Sequence, residues 1–507
     1  MNFNRTKNST RTFIFGILSR LVAILGPFTT RTIIIYKLGT DYVGLSSLFT
    51  SVLSILSISE LGIGSAITFC LYKPVAEDNR DEVRALLSLL RNLYKIIGAI
   101  ILGVGLVLIP FLPVLIHGDV PADTNIYILY LIYLLNSCVS YLGFAYKGVL
   151  FDVYQRGDVV HKIQTVANII QYTLQILVLL IFANYYWFAA MLPVSTIIVT
   201  LATQAFSKKY FPDLYPKGEV DKETKNVIKN KVLFLSAHSI AATLTNSVDN
   251  IVISGVLGLT AIGLYGNYNY IATAVLSFLL ILYRALTPSI GNSLVSDSKE
   301  KNIQLFHSLY FMCFWLIAFC SAAMLCLYQP FMILWVGKDR LLSFGVVIMV
   351  TLFFYSNATR QLLTSYVGAA GLWNKTLARQ IIAAIANLVL DLLLVRPFGI
   401  AGIVFASFFT NAIIALPMDV YVTYKYILKE KIRFGALRTL LYFILTIGIC
   451  TVTYAVCGLV KGEGLAAFIV KLFICLLVPN LIILAFSFKT KDFVFMKSHL
   501  RSLVKGR

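Results

Sequence analysis

The chain has 507 residues, of which 59% are apolar and only 13% charged, with a mean hydropathy of +0.83. A soluble domain carries roughly a quarter charged residues, so a soluble enzyme and a disordered chain are both excluded. About 300 apolar residues, at ~20 for each bilayer crossing, suffice for about fourteen spans rather than one anchor.

The N-terminal MNFNRTKNSTR is basic and polar. The apolar stretch after it is too long for a signal-peptide core and lacks a small-residue cleavage site, so it reads as an uncleaved first span. Candidate spans follow at about 12–36, 42–72, 93–116, 125–150, 163–182 and 187–206, then about 232–256, 262–290, 306–328, 343–370, 377–396 and 400–424. A last pair lies at about 438–459 and 466–488. The expected fold is all-α and polytopic, with about 14 transmembrane helices.

The formal net charge of +20 reads as topogenic rather than nucleic-acid binding, because Lys and Arg crowd into short interhelical loops. With the N-terminus inside, the inner segments hold about 34 of the 43 Lys and Arg and the outer loops about five. Both termini are expected in the cytoplasm.

The longest polar stretch, SKKYFPDLYPKGEVDKETKNVIKNK at 207–231, divides the chain into a six-helix lobe at 1–206 and a second at 232–424. Residues 425–507 then form a terminal helix pair and a basic tail. LGTDYVGL, Leu38 to Leu45, and LGLTAIGL, Leu257 to Leu264, both read L-G-x4-G-L, at equivalent outer hairpin tips. The match predicts a duplicated architecture with a pseudo-two-fold along the membrane normal and a central cavity.

The run RTIIIYKLGTDYVGLSSLFTSVLSILSISELGIGSAI (31–67) and LTPSIGNSL (Leu286 to Leu294) resemble bacterial polysaccharide repeat-unit flippases. These belong to the multidrug/oligosaccharidyl-lipid/polysaccharide flippase superfamily. The resemblance implies export of an undecaprenyl-diphosphate-linked oligosaccharide across the cytoplasmic membrane by alternating access. It further implies membrane lipids as surroundings, and a polysaccharide polymerase and glycosyltransferases as partners in capsule or exopolysaccharide synthesis. No nucleic-acid partner is expected.

Charged residues inside spans are costly, and each is a functional candidate. Arg20 and Arg31 lie eleven residues apart on the first span with Pro27 between them, which places both on one helix face about 16 Å apart. Glu60 sits near the middle of the second span, before Gly62 and Gly64. Arg360 is in the tenth span, at a depth close to that of Arg20. Arg20, Arg31 and Arg360 suit a diphosphate, which a guanidinium binds bidentately. With Glu60 they form the candidate substrate-binding set. Plainer readings stay open: Arg31 and Arg360 snorkel, and Arg20 is a structural partner of Glu60. Lys471 reads as a snorkeller, and Tyr265, Tyr268 and Tyr270 as packing residues or sugar-stacking platforms.

Asp249 in the seventh span, Asn387 and Asp391 in the eleventh and Ser407 in the twelfth lie at similar depth, a hard-oxygen set suited to a small cation. In related lipid-linked precursor flippases a sodium site uses an Asp on the seventh helix, N-x3-D on the eleventh, and a carbonyl and a hydroxyl on the twelfth. By that resemblance the positions are Asp249, Asn387, Asp391, the Ile403 carbonyl and Ser407, where Ser replaces the family's frequent Thr. Simple helix ties and proton coupling are the alternatives. No organic cofactor is implied, only a coupling sodium ion or proton.

The eight cysteines all lie in apolar segments without C-x-x-C spacing and read as small buried hydrophobes, not as a metal site. No G-x4-G-K-[ST] motif is present, and the chain is not expected to be an enzyme. The rival readings are a cation-coupled multidrug exporter of the same fold, against which the arginines argue, and a membrane-embedded polysaccharide polymerase, for which the outer loops are too short.

Overall fold

The computed structural model describes residues 5–60, 62–118 and 120–504. Among them every regular element is a helix. The first eight are α1 (Arg5–Lys37), α2 (Thr40–Leu56), α3 (Ile63–Ala76), α4 (Arg80–Val107), α5 (Ile126–Leu142), α6 (Gly148–Val153), α7 (Gly157–Ile181) and α8 (Tyr185–Tyr210). They are followed by α9 (Lys222–Leu257), α10 (Leu259–Ser296), α11 (Lys299–Val336), α12 (Phe344–Ala369), α13 (Leu377–Phe409), α14 (Leu416–Val422), α15 (Ile432–Gly458), α16 (Leu465–Ser487) and α17 (Lys491–Val504).

Ten helical segments among the described residues are long and apolar enough to cross a membrane, and α5 with Ala145–Val153, bent by 44°, makes an eleventh. One of the ten, Trp373–Leu428, runs for 56 residues, about 80 Å of helix and far more than one ~30 Å hydrocarbon core needs. The shorter apolar helices Thr40–Leu56, Ile63–Ala76 and Ser247–Leu257 stand beside these ten or eleven candidates, against an expectation of about fourteen spans. The protein is an all-α, multi-pass membrane protein.

The chain divides into two compact units, Met1–Gly263 and Leu264–Arg507. In the first, α1 runs along α7, α7 packs on α8, α5 bridges α4 and α8, and α9 lies against α2 and α3. Close approach at the α1–α7 seam depends on Gly26, where a Cβ would fall 2.0 Å from the Tyr172 ring. The hydrophilic stretch 207–231 falls within this unit, because the helix after it packs against α2 and α3.

In the second unit α11 is the central post, contacting α12, α15, α16 and α17, while α12 packs on α13 and α14. Its buried residues, from Phe306 to Val336, lie all round the helix, as a helix with partners on every side requires. The motif Leu286–Leu294 leads into the α10–α11 turn. There the Ser293 hydroxyl lies 2.8 Å from Asp297 Oδ2 and 2.7 Å from Asn302 Oδ1, and Lys301 Nζ donates to Asp297 Oδ1 at 2.6 Å.

Candidate functional site

The second span is discontinuous. α2 ends at Leu56, a 3-10 turn covers Ser57–Glu60, and α3 restarts after Gly62 at φ 98°. The left-handed backbone at Gly62 is open mainly to glycine, so the chain breaks beside Glu60. The break presents the Glu60 carboxylate to two phenols. Tyr94 OH donates to Oε1 at 3.1 Å and Tyr141 OH to Oε2 at 2.5 Å.

A cavity of about 660 Å³ in the first unit is lined by both Arg31 and Glu60. That volume falls within the ~300–1,000 Å³ range of small-molecule sites. Arg31 is its one cationic and Glu60 its one acidic lining residue among the described residues. The rest of the polar wall is neutral, with hydroxyls such as Ser46, Ser54 and Thr50 and amides such as Asn136, Gln171 and Gln175. Several are fixed by neighbours: Tyr133 OH donates to Ser46 Oγ at 3.0 Å, Thr196 Oγ1 to Asn136 Oδ1 at 2.6 Å, and Gln175 Nε2 to the Phe188 carbonyl at 3.2 Å.

Arg20 lies elsewhere. It is exposed on α1, and α1 lines the cavity only from Pro27 onward, through Thr30, Arg31 and Ile34. The two arginines share a helix face by angle, but three turns of helix separate them along the axis.

Arg360 belongs to the second unit, in a buried charge cluster. Its Nε donates to Asp419 Oδ2 at 2.9 Å and its Nη1 to Asn411 Oδ1 at 3.2 Å. Arg379 Nη1 also donates to Asp419 Oδ2. The side chains of Arg379 and Asp419 are 1% exposed, that of Arg360 18%. Asp419 sits on α14 between two π-helical stretches, Thr410–Ala415 and Thr423–Leu428. Such irregular turns cluster at functional positions. Sequence reasoning missed Arg379, at the start of the span read at about 377–396, and Asp419, although a charge inside an apolar run is the same signal that singled out Arg360.

α13 is broken at Gly399, φ 59° and ψ −139°, just after Pro397. In a straight helix Asn387 and Ser407, twenty residues apart, would lie about 30 Å from each other. Instead Asn387 Nδ2 reaches Asp391 Oδ1 at 3.3 Å and Ser407 Oγ at 3.5 Å. The chain therefore reverses at Gly399, and Gly402 packs so closely that a Cβ would meet the Leu394 carbonyl at 2.4 Å.

Asn387, Asp391, Ile403 and Ser407 are all buried, with Ile403 one turn before Ser407. Asn387 Oδ1 accepts no hydrogen bond among the described residues, and an amide, a carboxylate and a hydroxyl are the oxygen types that could hold a hard cation. Asp249 is buried on α9 in the first unit. Its neighbour Asn250 donates to Ser51 Oγ at 2.9 Å, tying α9 to α2.

Tyr268 is fully buried, stacked on Tyr328 with ring centroids 5.4 Å apart. Its hydroxyl donates to Gln329 Oε1 at 3.0 Å and accepts from the Leu342 amide at 3.1 Å. It is a packing residue.

Broken helices beside a polar cavity of ligand size in an otherwise apolar helical protein are the features of a membrane transporter rather than an anchor. The family model described as polysaccharide biosynthesis protein matches residues 9–294. No curated protein sequence gives a significant match. Among solved structures, the chain is similar to the lipid II flippase MurJ in an inward closed conformation, at 15% identity and a TM-score of 0.66, over 93% of this chain and 98% of that one. It is also similar to an inward-facing multidrug resistance MATE family transporter of the MOP superfamily, at 14% identity and a TM-score of 0.60, over 81% of this chain and 97% of that one. A third is the Vibrio cholerae MATE transporter VcmN, at 14% identity and a TM-score of 0.58, over 85% and 100% of the two chains. These similar proteins are flippases and transporters, not enzymes, and the likeness is one of fold. The chain belongs to the polysaccharide biosynthesis protein family, with the MOP-type transporter fold.

Proposed function

We propose that the protein is a flippase for undecaprenyl-diphosphate-linked oligosaccharide repeat units in a bacterial cytoplasmic membrane. The observation that carries this reading is the first unit's cavity, where a single guanidinium stands in a wall of hydroxyls and amides. Neutral donors and acceptors suit sugar hydroxyls, and Arg31 suits a phosphate oxygen. Membership of the polysaccharide biosynthesis family and a fold shared with a lipid II flippase support a lipid-linked cargo. The Lys and Arg asymmetry supports cytoplasmic termini. A polymerase and glycosyltransferases working on the same polymer, capsule or exopolysaccharide, are the partners this reading calls for.

A multidrug exporter of the same fold is the second reading, favoured by the MATE-like structures. Glu60 weighs against it, because both carboxylate oxygens are taken by tyrosine hydroxyls. Those hydrogen bonds disperse the carboxylate's charge, and Arg31 in the same cavity lining offsets it.

We further propose that a cation held by Asn387, Asp391, Ser407 and the Ile403 carbonyl couples to transport; Asp249, expected with them, is buried on α9 of the first unit. The deciding experiment is transport of lipid-linked oligosaccharide in proteoliposomes. Arg31→Ala is expected to abolish transport while the protein stays folded in the bilayer, and Arg31→Lys to restore it in part. Wild-type protein that moves organic cations but no lipid-linked saccharide would establish the exporter instead.

A further inference from the structure

Three cysteines that share no sequence motif meet inside the second unit. Cys326 is on α11, Cys457 on α15 and Cys475 on α16, and their Sγ atoms all lie within 4.8 Å of one another. Cys457 and Cys475 are 3.9 Å apart at sulfur. The three residues are 5%, 3% and 1% exposed. Around a metal with M–S bonds of about 2.3 Å, two thiolates stand ~4.0 Å apart in a trigonal plane and ~3.8 Å apart in a tetrahedron. A disulfide would need about 2.05 Å. The Cys457–Cys475 separation of 3.9 Å fits a shared ion and is far too long for a disulfide, and the third sulfur lies within 4.8 Å of both.

The surroundings complete such a site. Cys326 also lines a cavity of about 230 Å³, together with Glu463, Gln329 and Lys471. The cavity gives an ion a way in and leaves room for a water as fourth ligand. Lys471 precedes Cys475 by one helical turn. Three thiolates around a divalent ion leave one net negative charge, which the Lys471 ammonium is placed to offset. Glu463 already pairs with Lys338, so the carboxylate leaves that ammonium's charge largely available.

We propose that Cys326, Cys457 and Cys475 bind one soft d10 metal ion, Zn2+ or Cu+, which clips α15 and α16 to α11. Soft thiolates select these ions over Na+, Mg2+ or Ca2+. Binding proceeds with loss of three thiol protons to solvent and formation of three metal–sulfur bonds, with no change of oxidation state. The clip lies in the terminal helix pair and is separate from the cavity and the oxygen set described above.

The test uses the full-length protein in detergent, reduced and stripped of metal, with Cd2+ as a spectroscopic probe. One Cd2+ per chain should bind, with thiolate-to-metal charge-transfer absorption and a raised melting temperature. Zn2+ should displace it, and a parallel titration with Cu+ against a Cu+ chelator should show which ion holds more tightly. Cys475→Ala, Cys457→Ala and Cys326→Ala should each lose the absorption, and Cys313→Ala should keep it. In the wild-type protein, metal should shield Cys326, Cys457 and Cys475 from alkylation, a readout that does not depend on any variant folding. Binding that is absent, or that survives all three substitutions, overturns the proposal. So does isolation of the protein with Cys457 and Cys475 already joined as a disulfide.

Discussion

Gly44 rests against the backbone of Leu259: a Cβ at Gly44 would lie 2.2 Å from the Leu259 carbonyl oxygen. The reciprocal holds at Gly263, where a Cβ would lie 2.4 Å from the carbonyl oxygen of Thr40. The second glycine of each L-G-x4-G-L copy thus packs on the helix start of the other copy. The first glycines, Gly39 at φ 113° and ψ 167° and Gly258 at φ 89° and ψ 179°, hold the chain in a region open essentially to glycine. Thr260 Oγ1 donates to Asp41 Oδ1 at 2.5 Å across the contact. The repeat is a docking device, and each of its glycines has a separate reason to be there.

Gly44→Ala should therefore destabilise the protein by about 1–3 kcal/mol, the cost typical of overpacking. The obstacle is backbone, so no side chain can turn aside. Gly263→Ala should behave alike, and the double variant should lose less than the sum, because one separation of the helix starts relieves both clashes. Thermal unfolding in detergent measures all three. Strict additivity would mean that the two contacts are independent.

The cavity prediction concerns Glu60. Glu60→Ala leaves two phenol donors without their acceptor, at roughly 1–3 kcal/mol for each buried group left unsatisfied. Tyr141→Phe removes one donor and should cost about 1 kcal/mol. Glu60→Gln keeps an acceptor and should be milder than Glu60→Ala in melting temperature. If the carboxylate also holds the break after Leu56, Glu60→Ala will slow transport more than Tyr141→Phe does.

How much of this was legible in the sequence depends on the kind of information. Spans follow from local hydropathy, and the reversal near Gly399 is marked by the Arg396–Pro397–Phe398–Gly399 run. The weak point at Glu60 is marked by Gly62. By contrast, the Arg379–Asp419 pair joins positions forty residues apart, and the π-helical stretches around Asp419 leave no local signal. The cysteine cluster is tertiary throughout. Residues 326, 457 and 475 read singly as small apolar fillers, and only the packing of α15 and α16 on α11 brings them together. Arg20 shows the converse: angular phase was right for sharing a face with Arg31, but phase alone does not say how far along the helix a cavity extends.

The charge cluster makes an ordered prediction. Asp419→Ala strands the buried Arg379 and the half-buried Arg360 and should be the most damaging, since breaking a buried pair costs about 3–5 kcal/mol. Arg379→Ala should come next, because Arg379 is the more deeply buried guanidinium. Arg360→Ala leaves the Arg379–Asp419 pair intact and should be the mildest for stability. Measured melting temperatures should fall in that order. If Arg360→Ala instead abolishes transport with little loss of stability, its 18% exposed side chain meets the cargo.

Asp297 gives a pH dependence. Its carboxyl is held below the usual range, chiefly by the hydrogen bond from Lys301 and then by that from Ser293. A carboxylate depressed in the folded state contributes stability above its unfolded pKa of about 3.9, and loses it as pH falls through the lower folded value. Acid below about pH 4 should therefore loosen the α10–α11 turn. Hydrogen exchange at residues 293–302 should show it, and Asp297→Asn should remove the dependence.

The proposed cation site makes the last prediction. Asp391 is fully buried, Asn387 Nδ2 reaches both its Oδ1 and Ser407 Oγ, and a buried charge inside a span is costly unless it is paired. A monovalent cation there gains one carboxylate oxygen and the neutral oxygens of Asn387, Ser407 and Ile403. Asp391→Asn removes the charge and keeps the shape, so it should weaken sodium stimulation of transport while leaving lipid-linked substrate binding unchanged. A ligand shifts a conformational equilibrium only by its differential affinity for the two states, so sodium should also change protease accessibility in wild type and not in Asp391→Asn. Gly399→Val should abolish the response as well, because valine does not adopt φ near +59° and the reversal that joins Asn387 to Ser407 would open. Asp249→Asn, on α9 in the first unit, separates the alternatives: loss of sodium stimulation would add it to the same coupling step. Wild-type transport that ignores sodium and follows the proton gradient would replace the cation with a proton on Asp391.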